Sequence, residues 1–189
     1  MDRVAERTLR ARLTGRQIDS NEALMTITAN HVHFFISFLV SFIAFGLIGK
    51  WYLLPALRRY PLKIALSPLL LYACLRVNGL TFLMPGVVQP ELPQAFAVPT
   101  AYGDLSAVAL ALAALWALRI EARVAIPLLW LFNVVGLADL VYANIATFIY
   151  RVDPALFGGS YYLVILNVPA MIVVHVIMIA LLVERKRTG

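Results

Sequence analysis

The chain has 189 residues, 62% of them apolar and only 14% charged, with a mean hydropathy of +0.84. A soluble domain is about half apolar and about a quarter charged, so this composition excludes one. The net charge of +6 does not point to nucleic acid: the basic residues gather at the ends of apolar segments, where they read as topology signals and lipid-headgroup contacts.

Residues 1–30 form a polar arm. Arg3, Arg7, Arg10, Arg12 and Arg16 stand against Asp2, Glu6, Asp19 and Glu22, with Val4, Leu9, Leu13 and Ile18 at loosely helical spacing. The arm reads either as an interfacial helix or as a partly disordered lead-in. Five apolar segments follow, at about 31–52, 64–84, 103–119, 124–149 and 161–183. Each approaches the ~20 residues that cross about 30 Å of hydrocarbon as helix. The expected architecture is an all-α integral membrane protein, one bundle of about five transmembrane helices over 31–183 with a basic tail at 184–189. The first segment lacks a clear small-residue cleavage site and is expected to stay as an anchor.

Basic residues set the orientation. Lys50, Arg58, Arg59 and Lys63, then Arg119 and Arg123, then Arg185, Lys186 and Arg187 belong in the cytoplasm, which places the C-terminus there in a cell membrane, with a bacterial inner membrane expected. The connections at 85–102 and 150–160 are nearly free of base and suit the outside. Five spans then export the N-terminal arm, against which its five arginines count. If the first segment does not cross, the arm returns to the cytoplasm. Trp51, Tyr52, Tyr60 and Trp116 at one side and Tyr102, Tyr150, Tyr161 and Tyr162 at the other match an interfacial aromatic belt.

The polar residues within the segments carry the functional argument. Helical geometry turns each residue by about 100°. In the first span Asn30, His33, Ser37 and Ser41 share one face and His31 lies with Phe34, Phe38 and Phe42 on the other, so the two histidines cannot jointly grip a metal. His33 is the functional candidate of the two. The second span shows Tyr72, Arg76 and Gly79 on one side and Ser67, Cys74, Asn78 and Thr81 on the other, which suits a central helix. Between the second and third spans, Pro85, Pro90, Pro93 and Pro99 predict a proline-rich external loop over 85–102, either a lid on the external mouth or a rigid cap.

The third span repeats small residues at four, as Gly103, Ala107 and Ala111 and as Ala109, Ala113 and Ala117, a pattern for close helix packing. Asp104 falls in its expected first turn, where the helix dipole favours a carboxylate. In the fourth span Asn133, Gly136, Asp139, Ala143, Asn144 and Thr147 occupy one arc, interrupted by Leu140. In the last span His175 shares a face with Asn167, Met171 and Met178, at a depth expected nearer the cytoplasm than Arg76. Pro169 frees a backbone carbonyl near Asn167.

Arg76, about twelve residues into its span, needs an acid, and Asp139 and Asp104 lie at compatible depths. One reading is a structural ion pair that fixes helix register. The other joins it to Asn133, Asn144 and Asn167 as a polar cavity that opens outward and binds a small anion, a polar headgroup or protons. His175 reads as a hydrogen-bonded core residue or as part of that site. There is no phosphate-binding glycine loop, no Cys-x-x-Cys, no His-Glu-x-x-His and no nucleophile elbow. No metal or cofactor is expected; a single haem between His33 or His31 and His175 would need matched depths, which this topology disfavours. The composition and polar core together predict a polytopic membrane protein that binds or transports a small polar or anionic ligand. The alternatives are an accessory or assembly subunit of a membrane complex and a membrane-embedded enzyme or redox protein acting on a lipid or quinone. The expected partners are the lipid bilayer and either a second copy or a partner membrane subunit.

Overall fold

A computed structural model describes residues 25–26 and 29–188, and the side chains up to Glu184. Most of the 1–30 arm and the basic side chains of the tail therefore lie outside the described residues. Among the described residues the ordered elements are all helical. Five helices are long and apolar enough to cross a membrane: α1 (Ala29–Leu57), α2 (Leu62–Leu83), α3 (Gln94–Arg119), α4 (Ala125–Ile149) and α5 (Leu163–Glu184). Apolar segments of this length become helices in lipid because every backbone N–H and C=O must then find its partner within the segment.

The third helix begins at Gln94 rather than at 103, so half of the expected proline-rich loop is helical, with Pro99 inside it. Phe96, Ala97, Thr100 and Ala101 all turn inward at helical spacing, and burying that face outweighs the single backbone bond that Pro99 removes. The remaining connection, 84–93, is folded tightly. It is joined to the short 3₁₀ turn Pro154–Ser160 by Gln89 N–H to Leu156 O (3.0 Å) and Gly159 N–H to Val87 O (2.7 Å). Gly158 adopts φ 51° there with the Val87 carbonyl where a Cβ would stand, so only glycine fits.

Helix winding departs from regular α geometry in three places. The π-wound stretches Gly49–Leu53 and Leu163–Asn167 each end two residues before a proline, Pro55 and Pro169. A proline ring clashes with the carbonyl four residues back, and a wider turn relieves that clash. In α2 the winding tightens to 3₁₀ over Cys74–Leu83. Ten residues is long for a 3₁₀ run, and such runs often mark a strained or functional segment.

α3 lies against α2 and α4, and α5 against α4 and α2. On α3, Ala107, Ala111, Ala114 and Ala117 are buried, whereas Ala109 and Ala113 are exposed, so one of the two small-residue faces packs along its length. α1 is peripheral. Only 6% of its apolar window is buried, against 33–44% for the others. It meets α5 at Gly49, where a Cβ would lie 2.8 Å from Val173 Cγ1 and 3.1 Å from Ile177 Cδ1. Its start is held by Asn30 Nδ2 donating to Asp153 Oδ1 (3.3 Å) and by Phe34 against Phe157 and Tyr161.

The core divides into two apolar clusters. The larger runs through the body of α2 to α5, and the smaller, built on Phe82, Leu92, Phe96, Val152 and Phe157, caps the end that carries the two joined connections. Arg76 and Asp104 fall between the two clusters along α2 and α3.

Candidate ligand site

In a 3₁₀ helix residues three apart eclipse one another, so Arg76, Gly79 and Phe82 stack on one face of α2, and all three are buried. Arg76 is the largest fully buried side chain among the described residues. Its guanidinium is gripped from three sides: Nε donates to Asp104 Oδ1 (2.7 Å), Nη1 to the Gly136 carbonyl (3.0 Å) and Nη2 to Asp139 Oδ2. Both carboxylates thus bind one cation from separate helices. A single charge stranded here would be costly, and charge-assisted bonds to both acids and a carbonyl offset that cost. Asp104 lies mid-helix because α3 starts at Gln94, so its place comes from Arg76 and not from a helix terminus.

Three glycines make room for this cluster. A Cβ at Gly79 would collide with the Asp104 carboxylate, one at Gly103 with that of Asp139, and one at Gly136 with His175 (2.5 Å to Cε1) and Arg76 (3.1 Å to Nη1). His175 is wholly buried, stacked on Phe132 at 4.7 Å, with Nδ1 3.0 Å from Asn133 Oδ1. Asn133 Nδ2 donates to the Leu129 carbonyl (2.8 Å), which leaves its Oδ1 as acceptor and His175 Nδ1 as donor. Nε2 then has no partner beside Gly136. The imidazole and the guanidinium nevertheless come near each other, because the long Arg76 side chain reaches Gly136, where His175 also arrives.

On the other side of the ion cluster is a cavity of about 280 Å³. Arg76, Asp104 and Asp139 form its polar floor. Its walls are mainly apolar and aromatic, with Phe34, Phe38, Phe82, Phe96, Phe148 and Phe157 among them. Thr100, Asn144, Thr147 and Asn167 are the other polar lining residues. Asn144 and Thr147 bond back to the carbonyls of Leu140 and Ala143, and Asn167 Oδ1 accepts from Tyr72 Oη at 3.3 Å. Thr100 Oγ1 is buried without a partner. At the connection end the rings of Phe34, Phe82, Phe96 and Phe157 close over the cavity, with centroids 5.8–5.9 Å apart. The most exposed lining side chains are Phe35 (64%) on α1 and Phe148 (82%) on α4.

Of the residues singled out in the sequence, Arg76, Asp104, Asp139, Asn144 and Asn167 meet at this cavity. Asn133 and His175 form a separate pair beneath the floor. His33 is exposed on α1 and does not line the cavity, so it shares no site with His175. Among the described residues no group of three His, Cys, Asp or Glu is placed to hold a metal ion. Thr100 was not legible as a site residue while 94–102 read as loop; carrying the helix back to Gln94 puts Phe96, Thr100 and Asp104 at spacings of four on one face.

No curated protein and no solved structure matches the chain. A family model described as a domain of unknown function (DUF8737) matches residues 33–183, which include every residue of the ion cluster and the cavity, and the chain belongs to that family.

Proposed function

We propose that this multi-pass membrane protein binds, and by extension carries, a small amphipathic molecule taken up from the bilayer. The observation that supports this reading is the combination in one cavity of aromatic walls, a buried ion cluster as floor, and the unpartnered Thr100 hydroxyl. Ligand sites are concave and mostly apolar with a few convergent polar groups, and ionisable residues within a membrane usually serve a function. The exposed rings of Phe35 and Phe148 at the cavity's edge suit a ligand whose apolar part partitions into lipid. The arrangement of Lys and Arg supports an orientation with the C-terminus in the cytoplasm and the 84–93 and 154–160 connections outside, in a cell membrane for which we propose the bacterial inner membrane.

Photolabelling of the protein in lipid vesicles with a diazirine-bearing alkanol tests this reading. Preferential labelling of peptides covering 34–38, 143–148 and 163–171, reduced by an Ala143→Trp change that fills the cavity, is the expected result. Labelling spread evenly over all lipid-facing segments would contradict it.

A second reading rests on α1, whose burial is far below that of the other helices. Its free apolar surface suits a second copy or a partner membrane subunit, with the cavity as a feature of an accessory protein. Isolation of a stoichiometric complex that survives Asp139→Asn but not bulky substitutions on the exposed face of α1 would favour this reading.

A further inference from the structure

We infer that the head group this cavity accepts is a protonated amine on a compact apolar body; the inference rests on the reading that the cavity binds a small molecule. Charge balance is the first ground. The floor sets two carboxylates, Asp104 and Asp139, against one guanidinium, and Arg76 is the sole basic residue among those lining the cavity. The second ground is what the cavity presents. The Arg76 side chain is 1% exposed, whereas those of Asp104 and Asp139 are 15% and 12% exposed. An incoming head group therefore meets carboxylate oxygens first, with the guanidinium behind them, engaged by Asp104, Asp139 and the Gly136 carbonyl. An anion would be repelled at contact; a cation supplies the charge that the floor lacks.

The third ground is Thr100, a buried residue whose hydroxyl has no partner, one helical turn from Asp104 on the same face of α3. A buried hydroxyl left unbonded is costly, and beside Asp104 and Asp139, which accept only, it is a further oxygen that can accept an N–H bond as well as donate one. The aromatic walls agree, because the negative faces of phenylalanine rings attract ammonium groups in a desolvated site. Together these groups fit an amine that carries N–H bonds better than an anionic or purely apolar molecule.

The test uses the full chain in phosphatidylcholine nanodiscs with three probes of equal length, octylammonium, 1-octanol and octanesulfonate, each corrected for partition into empty nanodiscs. Octylammonium should bind about tenfold tighter than octanol or better, a difference of about 1.4 kcal/mol, and octanesulfonate should not compete. Asp104→Asn should weaken octylammonium about tenfold and leave octanol unchanged. Should that variant fail to fold, Thr100→Val provides the same comparison with the ion cluster intact, and octylammonium should again lose more than octanol. Equal binding of octanol and octylammonium, both abolished by Ala143→Trp, would overturn the amine inference and leave the cavity reading standing. Binding of all three probes unchanged by Ala143→Trp would overturn the cavity reading and the inference together.

Discussion

The Asp139 carboxylate occupies the space in front of Gly103 that a side chain there would fill. Two helices, α3 and α4, approach closely at this point because one of them has no Cβ. Gly103→Ala should therefore push Asp139 off Arg76 and destabilise the protein by about 1–3 kcal/mol, as overpacking of a tight core does. Denaturation in detergent checks this, and the Gly103→Ala, Asp139→Ala double variant should lose less than the sum of the two single changes.

Arg76 holds α2, α3 and α4 together through three bonds to its one guanidinium. Arg76→Gln leaves two carboxylates without their cation and should cost about 3–5 kcal/mol. Adding Asp104→Asn and Asp139→Asn removes the stranded charges, so the triple variant should recover much of that loss. Equal damage from single and triple variants in the same assay would mean that the charges contribute little to folding.

Thr100→Val exchanges an unpartnered buried hydroxyl for a methyl group of similar size. Because no bond is lost, the empty protein should be as stable as before or more so by up to about 1 kcal/mol. Thermal unfolding without ligand measures this. A loss of several kcal/mol would show that the hydroxyl has a structural partner.

At the end remote from the two joined connections, Lys63 Nζ donates to Glu121 Oε1 at 2.9 Å and ties the start of α2 to the α3–α4 turn. The Lys63 ammonium holds the Glu121 carboxyl below the usual carboxylate range, chiefly by that hydrogen bond. A carboxylate lowered in the folded state lends stability above its unfolded value, and that contribution disappears as pH falls through the lowered one. Lys63→Met should therefore cost a little stability at neutral pH, where that contribution is present, and none below the lowered value, so that the acid side of the profile flattens; since Glu121 is exposed, the effect should be small and should shrink in high salt.

The span count and most of the floor were legible in the sequence because charge inside an apolar segment is an anomaly that needs no fold to be noticed. Arg76, Asp104 and Asp139 announce themselves in this way, and a period of 3.6 correctly gathers Asp139, Ala143, Asn144 and Thr147 on one face of α4. The same period misleads on α2. From Cys74 onward the winding is 3₁₀, so Arg76, Gly79 and Phe82 align while Asn78, assigned to a second lined face, is exposed. Prolines hid the start of α3, and with it Thr100, because Pro93 and Pro99 signal a break locally while burial of Phe96 and Ala97 is a tertiary gain. The aromatic closure over the cavity depends on where α1 docks and how the 84–93 and 154–160 connections join, neither of which leaves a periodic trace.

The central claim is that a small molecule sits above the Arg76–Asp104–Asp139 cluster. Native mass spectrometry of the protein released from membranes in mild detergent addresses it most directly, with the wild type compared with Ala143→Trp. The account predicts a bound small molecule on the wild type that is lost from the filled variant while ordinary lipid adducts persist on both. Identical adducts on the two proteins would contradict it.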